Sequence, residues 1–589
     1  MSSLTKEMAA VQDAIAREDY EEAEKLFQRA GVRRGSKAYD DTVAILDASI
    51  GAVLHDRVRE WEALRAGLAF NCKNYELYVM LGNYYLEENP RQSYLCYENA
   101  LHHCDVAEDR AQIQDLLERL CGEYQVRVNK AAFVILSYNL LNLTRDCIES
   151  IRLTVPESAR EIIIVDNASE DGSVEWLREQ KDIKLIENKE NKGFPAGCNQ
   201  GIAAAEPDSD IFLLNNDTLM PENALFWLRM GLYSAEDVGT TGSVSNNVSN
   251  FQRIRREWGD TASILQFGRE NNIPMRHPYE DKLFLVGFAL LIKRSVLDKI
   301  GGLDERFSPG NSEDEDYGLR VVEAGYRNLL CRNSFILHFG HKSFEKAGAR
   351  SYDAVLQTNR RKIDQKWEMD TLGNLFPHPE MINMIKEPKE KAFRVLNIDC
   401  GCGADMRHLR GLYPKISCYG VEPDQRAVRF AAPVGEVIHA DVEKLQFPWQ
   451  PGFFDYVLIV DHLELLKDPD AVLRKIYKVL KPGGRLIARA FNARHFSVVL
   501  PLLLHDVLPY GNAGALNVRY SRMYTSTELQ RFMARNGYQG EELLYLTKGE
   551  PNEPEAKLIE QLAEMMKIPD RNSFLAYEYV LKVIKPSAP

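Results

Sequence analysis

The 589 residues contain ten cysteines but no C-x-x-C pair, and the one close pair, Cys400 and Cys402, has no matching partner pair. Support is therefore missing for a structural zinc site and for a disulfide framework, and buried thiols in a reducing compartment are the expectation. Long apolar runs are missing too. The longest, Phe284–Ile292 and Phe496–Leu504, are about half of the roughly 20 residues that a membrane-spanning helix needs. Basic charge is not in excess: 73 Lys and Arg against 86 Asp and Glu give −13. That sign argues against a nucleic-acid or anionic-membrane partner for the molecule as a whole, while leaving room for a single basic patch. The opening MSSLTKEMAAVQDAIAREDYEE is charged where a secretory signal needs an apolar stretch. The expectation is a cytoplasmic protein with no transmembrane segment and no nucleic-acid partner. What is present is an apolar content of 45%, enough for several cores, and a length that predicts about three to five domains.

Up to about Cys121 apolar residues recur at three- and four-residue spacing with no convincing strand, so residues 1–125 read as an all-α module. Within it Tyr78, Leu81, Gly82 and Tyr85, followed by Tyr97 and Ala100, resemble the large-small-large pattern of a tetratricopeptide repeat. Trp61–Leu68 and Tyr20–Ala30 read as second helices of two earlier, degenerate repeats, with a generic helical bundle as the alternative. From Lys130 the text alternates strands with helices (AAFVILSYN, EIIIVDN, IKLIENK, DIFLLNND), which predicts a parallel sheet with crossover helices. A polar, proline-bearing stretch (FPHPE, EPKEK) ends this unit, and FRVLNID opens a second alternation. The domains expected are 1–125, 126–385 and 390–589.

In open parallel sheets ligands bind beyond the carboxyl ends of the strands. In the first α/β unit those ends are Ser137–Tyr138–Asn139, Asp166–Asn167, Asn188 and Asn215–Asn216–Asp217, all along one edge. Any single Asp there also serves as a helix cap. SYN, VDNASEDGS, NKGFPAGCNQG, LLNNDT, GFALLIKRSVLDKIGGLDERF and SEDEDYGLR together resemble, in order over roughly Ala132–Phe344, the motifs of inverting family-two glycosyltransferases with the GT-A, nucleotide-diphosphate-sugar fold. The resemblance implies a nucleotide-sugar donor and a divalent metal, Mn or Mg, because a sugar leaving a diphosphate needs its developing charge neutralised by a hard cation. It places Asp217 as metal ligand in the family's D-x-D element, with Asn215 where an acid often stands and Asn216 at the ribose or phosphate. Asp166 then accepts from uracil, and Ser137, Tyr138 and Asn139 touch the nucleoside. An inverting transfer needs a carboxylate base for the acceptor hydroxyl. The family's E-D pair falls on Glu313–Asp314, which makes Asp314 the base, while Asp316 lies two residues on and leaves the register open. His338 is favoured as the histidine of the metal shell, with His341 as competitor, and Gly287 belongs to the acceptor-side wall.

FRVLNIDCGCGAD resembles the glycine-rich first motif of class I methyltransferases, a Rossmann-like fold that uses S-adenosylmethionine. Gly401 and Gly403 let the loop backbone approach a cofactor. The resemblance implies Glu422 at the ribose hydroxyls, Asp441 near the adenine, and FLAYEYVLKVIK as the last, antiparallel strand. Two departures stand out. Asn397 occupies the place of the acid near the methionine amine, and Asp399, a candidate to substitute for that acid, replaces the first glycine of the usual loop; the histidine of the relatives' E-H-L is missing too, from Glu464–Leu465–Leu466. His462 and His495 are candidates for a methyl-transfer base. The whole reads as a bifunctional enzyme that glycosylates a protein acceptor docked by the helical repeats, favouring Ser or Thr of flagellin or another surface-appendage subunit, and methylates the glycan. The alternative is a polysaccharide or lipopolysaccharide glycosyltransferase whose methyltransferase domain is degenerate and serves as a scaffold.

Overall fold

The computed structural model describes residues 3–340, 349–511, 516–568 and 571–587. It has two compact units, Met1–Ile363 and Asp364–Pro589. No described helix is long and apolar enough to cross a membrane.

The first unit opens with three helical hairpins and a seventh helix: α1 (Ser3–Ala16) with α2 (Tyr20–Ala30), α3 (Asp41–Val53) with α4 (Arg57–Phe70), α5 (Tyr75–Tyr85) with α6 (Pro90–His103), and α7 (Ala107–Gly122). Asp19, Asp40, Asp56, Asn74 and Asn89 cap α2 to α6, each side chain accepting from a backbone N–H of the first turn. Small residues set the hairpin spacing. A side chain at Gly82 would fall on the ring of Tyr97, and one at Gly67 would strike Ala44 and Leu77.

The strands β1 (Ala131–Ser137), β2 (Arg160–Asp166), β3 (Ile183–Glu187), β4 (Asp210–Asn215), β6 (Val238–Val244), β7 (Tyr279–Lys282), β8 (Ala289–Ile292) and β9 (Arg327–Phe335) form one sheet in the order β3-β2-β1-β4-β8-β6-β9-β7. It is parallel from β3 to β4, as the alternation predicts. Beyond β4 it becomes mixed, because β8 runs antiparallel to both β4 and β6. The short strands β5 (Thr218–Leu219) and β10 (Leu337–His338) pair separately.

Helix Ala224–Leu232 is buried along its whole length, as an apolar-all-round helix must be. One side meets β6 and β9, the other meets α6. Tyr78 packs edge-on to Phe226 at 5.5 Å, and Gln92 Nε2 donates to the Met230 carbonyl at 2.9 Å. Arg229 is buried and pairs with Glu98, while its Nη2 donates to the Asn129 carbonyl at 2.9 Å. The hairpins and the sheet therefore share one continuous core.

In the second unit β11 (Phe393–Ile398), β12 (Ile416–Glu422), β13 (Glu436–His439), β14 (Phe454–His462), β15 (Leu480–Phe491), β16 (Gln539–Thr547) and β17 (Ala576–Ile584) order as β13-β12-β11-β14-β15-β17-β16. The first five are parallel and β17 runs antiparallel to both neighbours, the orientation expected of FLAYEYVLKVIK. The unit starts at Asp364, ahead of the 385–390 boundary expected from composition. Its opening segment reads as linker because prolines and charges separate the apolar residues. Yet Met381, Ile382, Met384 and Ile385 are buried in the same cluster as β11, and Trp367 packs edge-on to Phe430 at 5.7 Å.

Candidate functional site

After β4 the chain turns through Asn216–Asp217 into β5, and β10 pairs with β5 so that His338 faces Thr218. This register brings His338 Nε2 to 3.2 Å from Asp217 Oδ1. The Asn247 carbonyl lies 2.6 Å from His338 Nδ1. A carbonyl only accepts, so Nδ1 carries a proton, which turns Nε2 toward Asp217. Phe288 stacks on the imidazole at 5.1 Å and 20°, and Asn215 Nδ2 stands 3.4 Å from the same Nε2. A ring nitrogen and a carboxylate oxygen at this separation match adjacent ligands of a divalent cation, whose edge in an octahedral shell is about 3 Å. Among the described residues no group of three or more His, Cys, Asp or Glu forms a metal cluster. The described residues thus offer His338 Nε2 and Asp217 Oδ1 as a pair. His341 lies outside the described residues.

The run Glu313–Asp314–Glu315–Asp316 opens helix Glu313–Glu323, and the fold gives each acid a separate environment. Glu315 is held by Arg360 through two hydrogen bonds of 2.7 Å. Asp316 is fully buried and paired with Arg320 at 3.0 Å. Glu313 is buried with Oε2 unpartnered, and burial, reinforced by the charge of Asp314, pushes its carboxyl well above the usual range. Asp314 is walled by protein yet still reached by solvent. Burial first, then the charge of Glu315, raises its carboxyl to about 7, although N–H groups of Glu315 (2.8 Å) and Gly287 (3.3 Å) donate to it. The site is a recess, not a surface run. Its members are sorted: Glu315 and Asp316 are paired with arginines, Glu313 is buried with its carboxyl pushed upward, and Asp314 is raised to about 7.

Along the strand ends expected to contact the nucleoside, the register pairs Ser137 with Asp166. Ser137 is buried and its Oγ has no hydrogen-bond partner, while Tyr138 is 39% exposed. Asp166 is fully buried, accepting from Ser169 N–H at 2.8 Å and Ser169 Oγ–H at 2.6 Å. Ser169 Oγ also accepts from the Asn139 N–H at 2.7 Å, so Ser169 ties the two strand ends together. Sequence reasoning missed that residue, whose only signal is an Asp followed three positions later by Ser. Asn216 Nδ2 donates to Thr144 Oγ1 at 2.9 Å, which commits its amide hydrogen to the fold and leaves its oxygen for any ligand.

In the second unit Asp399, Gly401 and Gly403 all adopt positive φ between β11 and the next helix. Asp399 pays for that strain without a glycine's freedom. Glu422, at the end of β12, accepts from Gly401 N–H at 2.7 Å and Asp424 N–H at 2.9 Å. One backbone donor expected for a cofactor is thus committed to a carboxylate. Burial, followed by the charges of Asp461, Glu422, Asp441 and Glu443, raises Asp399 to about 7. Asp461, at the end of β14, is a member that sequence reasoning did not name. A carboxyl raised by neighbouring acids fits a cationic ligand, and S-adenosylmethionine carries a sulfonium and an ammonium. Asn397 is fully buried, with Nδ2 donating to the Tyr419 carbonyl at 3.3 Å and Oδ1 unpartnered. Asp441 sits more openly and pairs with Lys444 at 3.0 Å. His495 is buried as the cap of helix Phe496–His505, and burial lowers its imidazole to about 4, so the structure places it as a cap and not as a cleft base.

Residues 132–301 match the family described as Glycosyl transferase family 2, and residues 396–488 match a Methyltransferase domain. Norajmaline N-methyltransferase of Rauvolfia serpentina is 27% identical over 122 residues, covering 20% of this chain and 41% of that protein. The N-acetylglucosaminyl-diphospho-decaprenol L-rhamnosyltransferase of Mycobacterium tuberculosis is 24% identical over 210 residues, 31% of this chain and 66% of that protein. A mannosyltransferase of Pyrobaculum calidifontis, solved with GDP-Man and Mn2+, aligns at a TM-score of 0.29 and 17% identity, covering 37% of this chain and 60% of that one. The chain is an enzyme with two transferase domains. One matches family 2 glycosyl transferases and the other a methyltransferase domain.

Proposed function

We propose that residues 126–363 transfer a sugar, with inversion, from a uridine-diphosphate donor to an acceptor hydroxyl, and that the second unit methylates the resulting glycan. The observation that carries this reading is the His338–Asp217 pair on the same sheet edge as a carboxyl poised near neutrality. Asp314 takes the acceptor's proton, its pKa near 7 matching ionised base to proton affinity. Gly287 N–H and Glu315 N–H orient that carboxylate. Asp217 and His338 would hold a divalent cation, Mn or Mg, which supplies charge neutralisation for the departing diphosphate. Ser137, Tyr138, Asn139 and Asp166 position the nucleoside, and the oxygen of Asn216 meets ribose or phosphate. In the second unit Asp399, Gly401, Gly403, Glu422 and Asp441 would hold S-adenosylmethionine, whose sulfonium supplies the methyl group.

The favoured acceptor is a Ser or Thr of a protein such as flagellin, met in the cytoplasm and docked on tetratricopeptide-like repeats. Three capped hairpins in the same compact unit as Asp314 support that choice, since stacked hairpins suit an extended polypeptide. A second reading is a polysaccharide or lipopolysaccharide acceptor with a degenerate methyltransferase domain as scaffold. The observation favouring it is the buried, half-satisfied amide of Asn397 where relatives carry an acid. The test incubates the full chain with uridine-diphosphate sugars, manganese and acceptor protein. Nucleotide release that survives both Asp314→Asn and Asp217→Ala overturns the site assignment, and calorimetry with S-adenosylmethionine that shows no saturation overturns the cofactor.

A further inference from the structure

A cavity of about 420 Å³ is lined by Val248, Ser249, Asn250, Arg253, Arg255 and Arg256. It puts three guanidinium groups together in a chain whose net charge is −13. Arg256 lies over the rings of Trp258 and Phe267, at 5.0 and 4.9 Å. No ion pair to a carboxylate engages any of the three among the described residues. A second feature points the same way: Asn250 Nδ2 is buried and has no hydrogen-bond partner, while Asn250 Oδ1 is occupied by the Gln252 N–H at 2.9 Å. Apart from the Arg256 Nε–H, which donates to the Glu257 carbonyl at 3.4 Å, the cavity thus presents donors and positive charge with no carboxylate partner among the described residues.

Its place in the fold says which substrate it serves. The segment follows β6, which the strand order sets on the far side of β4 from the nucleoside strands β1, β2 and β3. The Asn247 carbonyl, one residue before the lining begins, fixes the His338 imidazole. Gln252, inside the segment, accepts from the Val286 N–H at 2.7 Å and donates to the Ser243 carbonyl at 2.9 Å. Val286 adjoins Gly287, whose N–H donates to Asp314. The basic cavity is therefore braced against both the histidine of the cation pair and the backbone that orients the base, on the side away from the nucleoside.

We infer that this cavity is an oxyanion subsite for the acceptor, receiving a phosphate or carboxylate group carried close to the hydroxyl that Asp314 deprotonates. Planar guanidinium groups match such oxyanions through paired hydrogen bonds. The inference rests on the sugar-transfer reading of the first unit, and the test separates the two. The full chain is titrated calorimetrically with inorganic phosphate and, separately, with acetate; the wild type is expected to saturate with at least one of them. Arg253→Ala combined with Arg255→Ala, both exposed positions, is expected to weaken that binding about tenfold or more while melting temperature and UDP affinity stay unchanged. Saturation by phosphate alone identifies a phosphorylated acceptor, and equal saturation by acetate a carboxylated one. Absence of binding by both anions, or a loss of UDP affinity in the double variant, overturns the inference. Anion binding of this kind in a chain that transfers no sugar would overturn the sugar-transfer reading and leave the cavity's chemistry standing.

Discussion

His338 Nε2 and Asp217 Oδ1 stand 3.2 Å apart because two strands of only two residues each, β5 and β10, pair with each other. Removing either ligand should abolish cation-dependent turnover. His338→Ala and Asp217→Ala are each expected to lose two or more orders of magnitude in transfer rate, roughly the several kcal/mol a Lewis-acid cation supplies. Chelation with EDTA should do the same to the wild type, and added manganese should restore the wild type only.

The register of the acid run is testable by contrast. Asp314→Asn should lower the transfer rate by about 10²–10⁴ with melting temperature and nucleotide affinity intact. Asp316→Asn should instead destabilise, because it removes the counter-charge of Arg320 inside the fold. The cost is about 3–5 kcal/mol, read as a lower denaturant midpoint.

A base raised to about 7 gives kcat/KM a signed pH profile. The rate should climb with unit slope from pH 5 and level off above about 7, since only ionised Asp314 accepts the proton. A rate that is flat from pH 5 to 8 would sink the role of Asp314.

Asp399 makes the second unit pH-dependent in the opposite sense for stability. Its folded carboxyl, at about 7, holds a proton more tightly than an unfolded one. Stability should therefore be greatest below the ordinary carboxylate range and fall as pH rises toward about 7. A cationic ligand prefers the ionised form, so S-adenosylmethionine affinity should rise over the same interval. Calorimetry in buffers of different ionisation enthalpy should register proton release below pH 7, and Asp399→Asn should remove it.

The strand ends of the first sheet were legible because long apolar runs stop abruptly at SYN, VDN and NND, and the structure aligns those ends in register. The pair β5 and β10 was not, since two residues make no periodic signal and their partnership is set by tertiary contacts; His338 was reachable only through family resemblance. Nor could spacing choose among four consecutive acids. That choice is made by Arg320 and Arg360, the second brought in from a distant helix. Residues 364–392 misled for the opposite reason: prolines and charges look like a linker, while the few apolar residues between them complete the core of the second unit. Asn247 and Ser169 act through backbone-guided hydrogen bonds, which composition does not encode.

The buried contact of Glu98 with Arg229 offers a check on the shared core of the first unit. Glu98→Ala should cost about 3–5 kcal/mol by stranding a buried guanidinium. Helix and sheet signals of the first unit should melt together in the wild type and shift together in the variant.

A recognition module on a flexible tether raises the local concentration of its cargo and leaves the angle of approach to chance. Here Tyr78 and Gln92 weld the hairpins, through Phe226 and Met230 of the buried helix, to the same compact unit that holds Asp314. On the proposed reading, an acceptor docked on those helices is presented at one distance and one angle. Lengthening a linker could not retune acceptor choice in such a molecule; only reshaping the surface could.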